Sequence, residues 1–380
     1  MPNQKVHVVA VVGTRPEVVK MAPVISALKA TEWAQVSVLA TAQHRHMLDQ
    51  ALALFGISAD VDLDVMRPNQ ALPALTSRLI TAVDEAFERL RPDAVLGQGD
   101  TTTVLATALA AFYRRVPFGH VEAGLRTGTI DNPCPEEMNR VLCAPLARWH
   151  FAPTPRAAEN LRRENIPAAS IHITGNTVID SLLQVARTVP PSQFPRDPRN
   201  RLVLVTAHRR ESFGRPMREA MLAIRELADM HADLEFLYPV HPNPNVRSLA
   251  DELLAGHPRI ALVEPLAYGD FVAAMKAATL ILTDSGGVQE EAPALGKPVL
   301  VMRNDTERPE AVEAGVARLV GTDRTRIVAE VNRLLNDELM YQSMARGVSP
   351  FGDGKAAHRI VALLCNDLNT QAALGRPLVA

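Results

Sequence analysis

Residues 280–303 read LILTDSGGVQEEAPALGKPVLVMR. The apolar run Leu280–Leu282 predicts a buried strand ending in Thr283-Asp284-Ser285-Gly286-Gly287. A short helical segment follows, stops near Gly296, and gives way to a second expected strand over Pro298–Met302. Buried strand, tight turn, helix, buried strand is the repeating unit of a parallel α/β sheet. The two glycines let backbone approach a ligand closely, and the helix start offers unpaired N–H groups that suit a phosphate. Glu290 and Glu291 would repel phosphate but can accept hydrogen bonds from a ribose diol. Taken alone, the stretch reads equally as a nucleotide-diphosphate cradle or as an ordinary βα turn.

Outward from it the same pattern recurs. Val6–Val12 is β-branched and nearly uninterrupted, as expected of a strand covered on both faces. It ends in Gly13-Thr14-Arg15-Pro16-Glu17, with a helix expected through Leu28 and Pro16 in its first turn, where the missing N–H costs nothing. Val36–Thr41 leads to Gln43-His44-Arg45, Ala94–Leu96 to Gly97-Gln98-Gly99-Asp100, and Val116–Val121 to Glu122-Ala123-Gly124. Trp149–Ala152 is expected as the last strand of this half. A Pro-rich break at 186–200 precedes a restart at Leu202–Thr206, which ends in Ala207-His208-Arg209-Arg210-Glu211. Leu234–Val240, ending in His241-Pro242-Asn243-Pro244, and Ile260–Val263 continue it, and a helix is expected over about 355–369. Strands alternating with helices, without hairpin signals, predict an α/β doubly wound architecture. The break and restart in 380 residues predict two similar domains.

Composition narrows the function. Hydrophobic residues make up 47% and charged residues 22%, with a formal charge of −2, so there is no basic footprint for nucleic acid or an anionic membrane. Cys134, Cys143 and Cys365 show neither CxxC nor metal-ligand spacing and suit a reducing compartment. The N-terminal MPNQKVHVVAVVG lacks the features of a signal peptide, and no apolar run approaches a membrane span, so a cytoplasmic protein is expected. No GxGxxG follows a strand and no GxxxxGK[ST], HExxH or GxSxG occurs, leaving dinucleotide, P-loop, zinc-protease and serine-hydrolase chemistry without their signatures.

Ligands of doubly wound sheets bind outside the carboxyl ends of the strands. Those ends carry Arg15, His44, Asp100, Glu122, His208, His241 and Asp284, a set consistent with an active site shared by the two domains. Arg15, Lys20, Arg209 and Arg308 can hold a diphosphate through charge-assisted bonds. Asp100, Glu122 and Glu136 can act as acid and base if burial separates their pKa values. In DNPCPEEMNR (131–140), Glu136 and Arg140 stand four apart on one helix face, which also fits a simple surface ion pair.

Several of these segments are distinctive together. GTRPExxK (13–20), GDTTT (99–103), HVEAGLRTG (120–128), PEExNR (135–140), TAHRRESFG (206–214), YPVHPNP (238–244), LTDSGGVQEEAP (282–293) and TERPEA (306–311) resemble the non-hydrolysing UDP-N-acetylglucosamine 2-epimerases over nearly the whole chain. The resemblance implies a glycosyltransferase-B-like fold of two facing Rossmann-like domains with an interdomain active-site cleft. Their expected bounds are 1–172 and 173–361, with a terminal helix at about 362–380 packing back on the first. It implies interconversion of UDP-GlcNAc and UDP-ManNAc through a 2-acetamidoglucal, without cofactor or metal, to supply cell-surface polysaccharide. By motif match Asp100, Glu122 and Glu136 are the family's carboxylates, with Arg140 and His208 as partners. Arg15, Ser285, Gly286 and Gly287 match its phosphate contacts, Glu291 the ribose contact and Arg308 a further UDP contact. Phe271 fits either a uracil platform or core packing.

Three positions depart from the pattern: Gln98 where His is usual, His46 where Glu or Gln is usual, and Cys134 in place of an aromatic. In some members a second UDP-GlcNAc activates the enzyme through the HRxMLDQ segment, and His46 and Asn69 leave that regulation open here. A homodimer is a further implication of the family. Three other classes compete: a UDP-sugar glycosyltransferase, a hydrolysing relative that releases free ManNAc, and a non-catalytic nucleotide-sugar sensor. A transferase would need an acceptor pocket in place of the Glu122–Arg140 set, and a sensor would be expected to lose Asp100, Glu122 or His208. The hydrolysing relative in animals carries a fused kinase domain that 380 residues cannot hold.

Overall fold

The structure, a computed structural model, describes residues 5–41, 45–67 and 70–373. Two compact units emerge, Met1–Ser181 with Gly352–Ala380, and Leu182–Phe351. The division falls inside the helix Thr177–Thr188 rather than in the Pro-rich stretch that follows it.

The first unit is built on a seven-stranded sheet: β1 (Val6–Val12), β2 (Ala34–Ala40), β3 (Val61–Asp62), β4 (Ala94–Gln98), β5 (Phe118–Val121), β6 (Trp149–Ala152) and β7 (Ile171–Ile173). The strands lie in the order β3-β2-β1-β4-β5-β6-β7, and every pairing is parallel. The apolar run of β1 has a direct cause. Val8, Ala10 and Val12 pack with Met21, Ile25 and Leu28 of the helix Arg15–Lys29 and with Ile360 and Leu364 of the helix Ala356–Ala373. Val9 and Val11 pack on the other face with Val83, Phe87 and Val104. Both faces are covered from Val8 to Val12, which accounts for the apolar run; the polar His7 sits at the half-buried start of the strand.

The second unit has a six-stranded parallel sheet: β8 (Arg201–Thr206), β9 (Leu234–Pro239), β10 (Ile260–Val263), β11 (Ala278–Thr283), β12 (Val299–Val301) and β13 (Ala317–Leu319), in the order β10-β9-β8-β11-β12-β13. Val203 and Val205 are buried with Met217, Ile224, Leu227, Phe236 and Tyr238. Each unit is therefore a doubly wound α/β layer, as the alternation predicts. No helix among the described residues is long and apolar enough to cross a membrane.

Trp149–Ala152 is not the last strand of its half. β7 follows it and pairs with it, carrying Ile173 half exposed at the sheet edge. In each sheet the chain leaves its first strand toward one edge and later returns to the other side. Those reversals lie between β1 and β4, and between β8 and β11, and such switch points are where doubly wound sheets open a ligand crevice.

Candidate active site

At the switch point of the first unit, β1 ends at Gly13. A Cβ there would lie 2.5 Å from Thr41 Oγ1 and 2.6 Å from Thr103 Oγ1, so only glycine fits between β1 and its neighbours. Thr14 caps the helix Arg15–Lys29 in a capping box completed by Glu17. Glu17 is buried. Its Oε2 accepts from the backbone N–H groups of Gly13 and Thr14, and its Oε1 accepts from the hydroxyl of Thr101, next to Asp100. Burial raises its carboxyl from 4.5 to about 7, opposed by those three hydrogen bonds and reinforced by the charge of Asp100.

Glu122, just beyond β5, has φ of 65°, a left-handed conformation that a non-glycine residue adopts at some cost. Its buried carboxylate takes Lys20 Nζ at 2.6 and 2.8 Å, Asn176 Nδ2 at 3.1 Å, and the side-chain amide of Gln98. Lys20, expected among the diphosphate cations, is thus spent on Glu122. Gln98, the departure from the family's His, supplies the same carboxylate with a donor.

Asp100 receives Arg140 through Nε at 2.9 Å and Nη2 at 2.6 Å, and its carbonyl accepts from Asn139 Nδ2 at 2.8 Å. The Glu136–Arg140 pair read from the four-residue spacing does not form. Arg140 instead pairs with Glu137 at 2.7 Å. Glu137 is 2% exposed and also accepts from the N–H groups of Thr127 and Gly128, which explains why it and not Glu136 faces inward. Glu136 is half buried, and its side chain makes no hydrogen bond or ion pair among the described residues. Arg15 is likewise half buried and without a partner among them.

At the second unit's switch point, β8 ends in the turn Ala207–Arg209 and β11 in Asp284–Gly287. Asp284 Oδ2 accepts from the backbone N–H groups of His208 at 2.7 Å and Arg209 at 2.8 Å. His208 Nδ1 lies 3.2 Å from Asp284 Oδ1. Burial works against the Asp284 charge, but the His208 contact and these N–H groups outweigh it and hold the carboxyl below its usual range. His241 stacks on His208 with ring centroids 5.6 Å apart and planes 10° off parallel. Burial and the neighbouring His208 lower the His241 imidazole, against the pull of Asp284.

Two guanidinium groups converge on Gly286. A Cβ there would lie 3.5 Å from Arg209 Nη2 and 3.8 Å from Arg308 Nη2. Arg308 is held by the buried Glu290, while Glu291 takes the hydroxyl of Tyr268 at 2.5 Å. Ser285 and Phe271 are half buried and Gly287 is exposed. Phe271 starts the helix Tyr268–Ala277 together with Tyr268 and is no part of the buried core of this unit. Asn69 and His44 lie outside the described residues, and the side chain of His46, in the helix Arg45–Leu54, is not described.

A family model for UDP-N-acetylglucosamine 2-epimerase matches residues 26–365. The chain belongs to that family. The UDP-N-acetylglucosamine 2-epimerase of Escherichia coli O157:H7 is 52% identical over 370 residues, covering 95% of this chain and 98% of its own length. Among solved structures, the epimerase from Neisseria meningitidis bound to UDP-GlcNAc is 44% identical with a TM-score of 0.87, covering 95% of this chain and all of its own. The Methanocaldococcus jannaschii epimerase in complex with UDP-GlcNAc and UDP is 33% identical with a TM-score of 0.78, covering 95% and 99%. Membership in the 2-epimerase family makes the chain an isomerase, as its motifs imply.

Three groups with definite partners lie outside the set that the motifs assign. Glu17 has a signal in the sequence, as the fourth residue of a T-x-x-E capping box. Asp284 stands at a strand end, which by itself carries no function. Nothing in the sequence separates Glu137 from Glu136.

Proposed function

We propose that this protein interconverts UDP-GlcNAc and UDP-ManNAc by eliminating UDP and adding it back. The observation that carries the reading is the pair of guanidinium groups, Arg209 and Arg308, converging on Gly286 beside Ser285 and Gly287. Two fixed cations over a backbone without side chain suit a diphosphate, and they stabilise it most when it leaves as an anion. His241 and Phe271 flank the UDP site in this reading, and Glu291, oriented by Tyr268, meets the ribose.

The proton chemistry falls to the first unit. The C2 proton of the sugar is not adjacent to a carbonyl, so removing it alone is very hard. As the C1–O bond to UDP breaks, C1 gains oxocarbenium character, and loss of the C2 proton to a carboxylate then yields the C1=C2 bond of a 2-acetamidoglucal. In the return step the UDP oxygen bonds C1 and a proton reaches the opposite face of C2. A base and an acid are needed on opposite faces, and Asp100, Glu122 and Glu136 supply both. Arg140 steadies Asp100, Lys20 holds the Glu122 carboxylate in place, and Arg15 adds a cation for the diphosphate. The product class serves cell-surface polysaccharide, a homodimer is the expected assembly, and a second UDP-GlcNAc as activator would appear as sigmoidal substrate dependence.

The test is incubation with UDP-GlcNAc in D₂O, followed by NMR. Deuterium at C2 with intact UDP-ManNAc is expected. Free UDP with ManNAc, or C2 left fully protonated in the product, overturns the reading. Asp100→Asn and Glu122→Gln should each lower turnover by at least ~10²-fold, as lost acid–base groups do.

A further inference from the structure

The turn at the end of β8 and the turn at the end of β11 are joined through one side chain. Asp284 is 2% exposed and is tied to the 206–209 turn at several points. Its own N–H donates to the Thr206 carbonyl at 3.0 Å, and its carbonyl accepts from Arg209 Nε at 3.3 Å. Oδ2 takes the two backbone N–H groups of His208 and Arg209. Bracing the turn needs only that oxygen. Oδ1 is equally buried and has no hydrogen-bond partner apart from His208 Nδ1, 3.2 Å away. A buried carboxylate oxygen left unpaired is costly, so the site calls for a proton on Nδ1.

We propose that Asp284 is a positioning residue that holds the His208 imidazole as its Nδ1–H tautomer, leaving Nε2 as the atom that meets the nucleotide sugar. This rests on the epimerase reading, in which His208 takes part in the reaction. The other polar groups around the ring leave Nδ1 to Asp284. His241 stacks face to face, and its own Nδ1 accepts from the Asn243 N–H at 3.1 Å. The Tyr238 hydroxyl donates to the Ala207 carbonyl at 2.7 Å, and Arg209 turns its side chain to the Asp284 carbonyl and to Glu307. A carboxylate behind the imidazole fixes its orientation and its tautomer, so a bare Nε2 faces away from Asp284 to accept a hydrogen bond. Because Ser285–Gly287 follow Asp284 directly, the same residue sets the histidine and the diphosphate cradle in register.

The test uses the full chain with ¹⁵N-labelled histidine, assigned through His208→Asn. In the unsubstituted protein the neutral His208 ring should show Nδ1–H and a bare Nε2; the opposite tautomer overturns the inference without any variant. D284N keeps an oxygen for the two backbone N–H groups but turns an NH₂ toward Nδ1, so the ring should switch to Nε2–H. Its turnover in the deuterium assay should fall by about 10²-fold or more while the affinity for UDP changes less than about threefold. H208N/D284N should be no slower than H208N, since Asp284 acts through the ring. Normal turnover in D284N beside a slow H208N refutes the positioning role alone. Normal turnover in H208N removes His208 from the reaction, and with it the reading on which the inference stands.

Discussion

Glu17 gives the stability of the first unit a pH dependence that can be isolated. Its carboxyl is raised from 4.5 to about 7, mainly by burial. Between those values the folded state binds more protons than the unfolded chain. The contribution is therefore fully present below about 4.5 and is lost as pH rises through about 7. At about 1.4 kcal/mol per pH unit, the loss is about 3 kcal/mol. Glu17→Gln removes the charge while its amide can still accept from Gly13 and Thr14 and donate to Thr101. The variant should exceed the parent by only about 0.7 kcal/mol near pH 5 and by about 3 kcal/mol near pH 8. The parent's own profile hides this. His120, buried with its imidazole drawn down to about 4 from 6.5, contributes stability above 6.5 that is lost as pH falls, the opposite slope in an overlapping window. Only the difference between variant and parent isolates Glu17. Urea denaturation followed by tryptophan fluorescence suits the assay, because Trp33 and Trp149, the chain's 2 tryptophans, both lie in the first unit. A variant-minus-parent difference that stays constant from pH 5 to 8 would refute the argument.

Three further outcomes follow from the same contacts. Lys20→Met strands the buried Glu122 carboxylate and should destabilise the first unit by about 3 kcal/mol, with about half recovered in K20M/E122Q; equal losses in single and double variants would contradict the pairing. Glu137→Ala should reduce stability by about 2–3 kcal/mol by leaving Arg140 Nη1 and the Thr127 and Gly128 N–H groups without their acceptor, whereas Glu136→Ala should leave the denaturation midpoint unchanged and slow turnover by about 10²-fold. The reverse ranking would exchange their roles. Asp180 accepts from the N–H groups of Ala356 and Ala357 at the start of the last helix, so Asp180→Ala should cost about 1–2 kcal/mol and speed hydrogen exchange at 357–364 first; uniform exchange across the unit would argue against a cap.

The strands legible in the sequence are those with continuous apolar runs. β1 and β10 run from Val6 to Val12 and from Ile260 to Val263, the limits expected from those runs, although β10 is an edge strand buried only at Ile260 and Ala261. β7 and β13 were passed over because Ile171–Ile173 and Ala317–Leu319 are three-residue strands, each with a charged or titratable residue at its centre. β3 has only two residues. At the site, motif spacing brought out Asp100, Arg140, His208 and Arg308. The helix Glu136–Cys143 misleads because its polarity is inverted. Met138 and Leu142 are exposed, at 41% and 44%, while Glu137 and Asn139 are buried. Reading apolar residues as the inward face assigns that helix backwards, and only the partners around Glu137 explain the choice.

The last helix, Ala356–Ala373, covers the apolar face of the first one through Ile360 and Leu364. The chain must therefore return to the first unit after the whole of Leu182–Phe351 has been made. During synthesis at about 5–20 residues per second, Met21 and Ile25 wait about 17–70 seconds for their cover. The second unit, later in sequence, is contiguous and can close first. A ribosome stalled before residue 352 would thus hold a finished second unit and a first unit with an open hydrophobic seam, the form that a chaperone or a protease would meet.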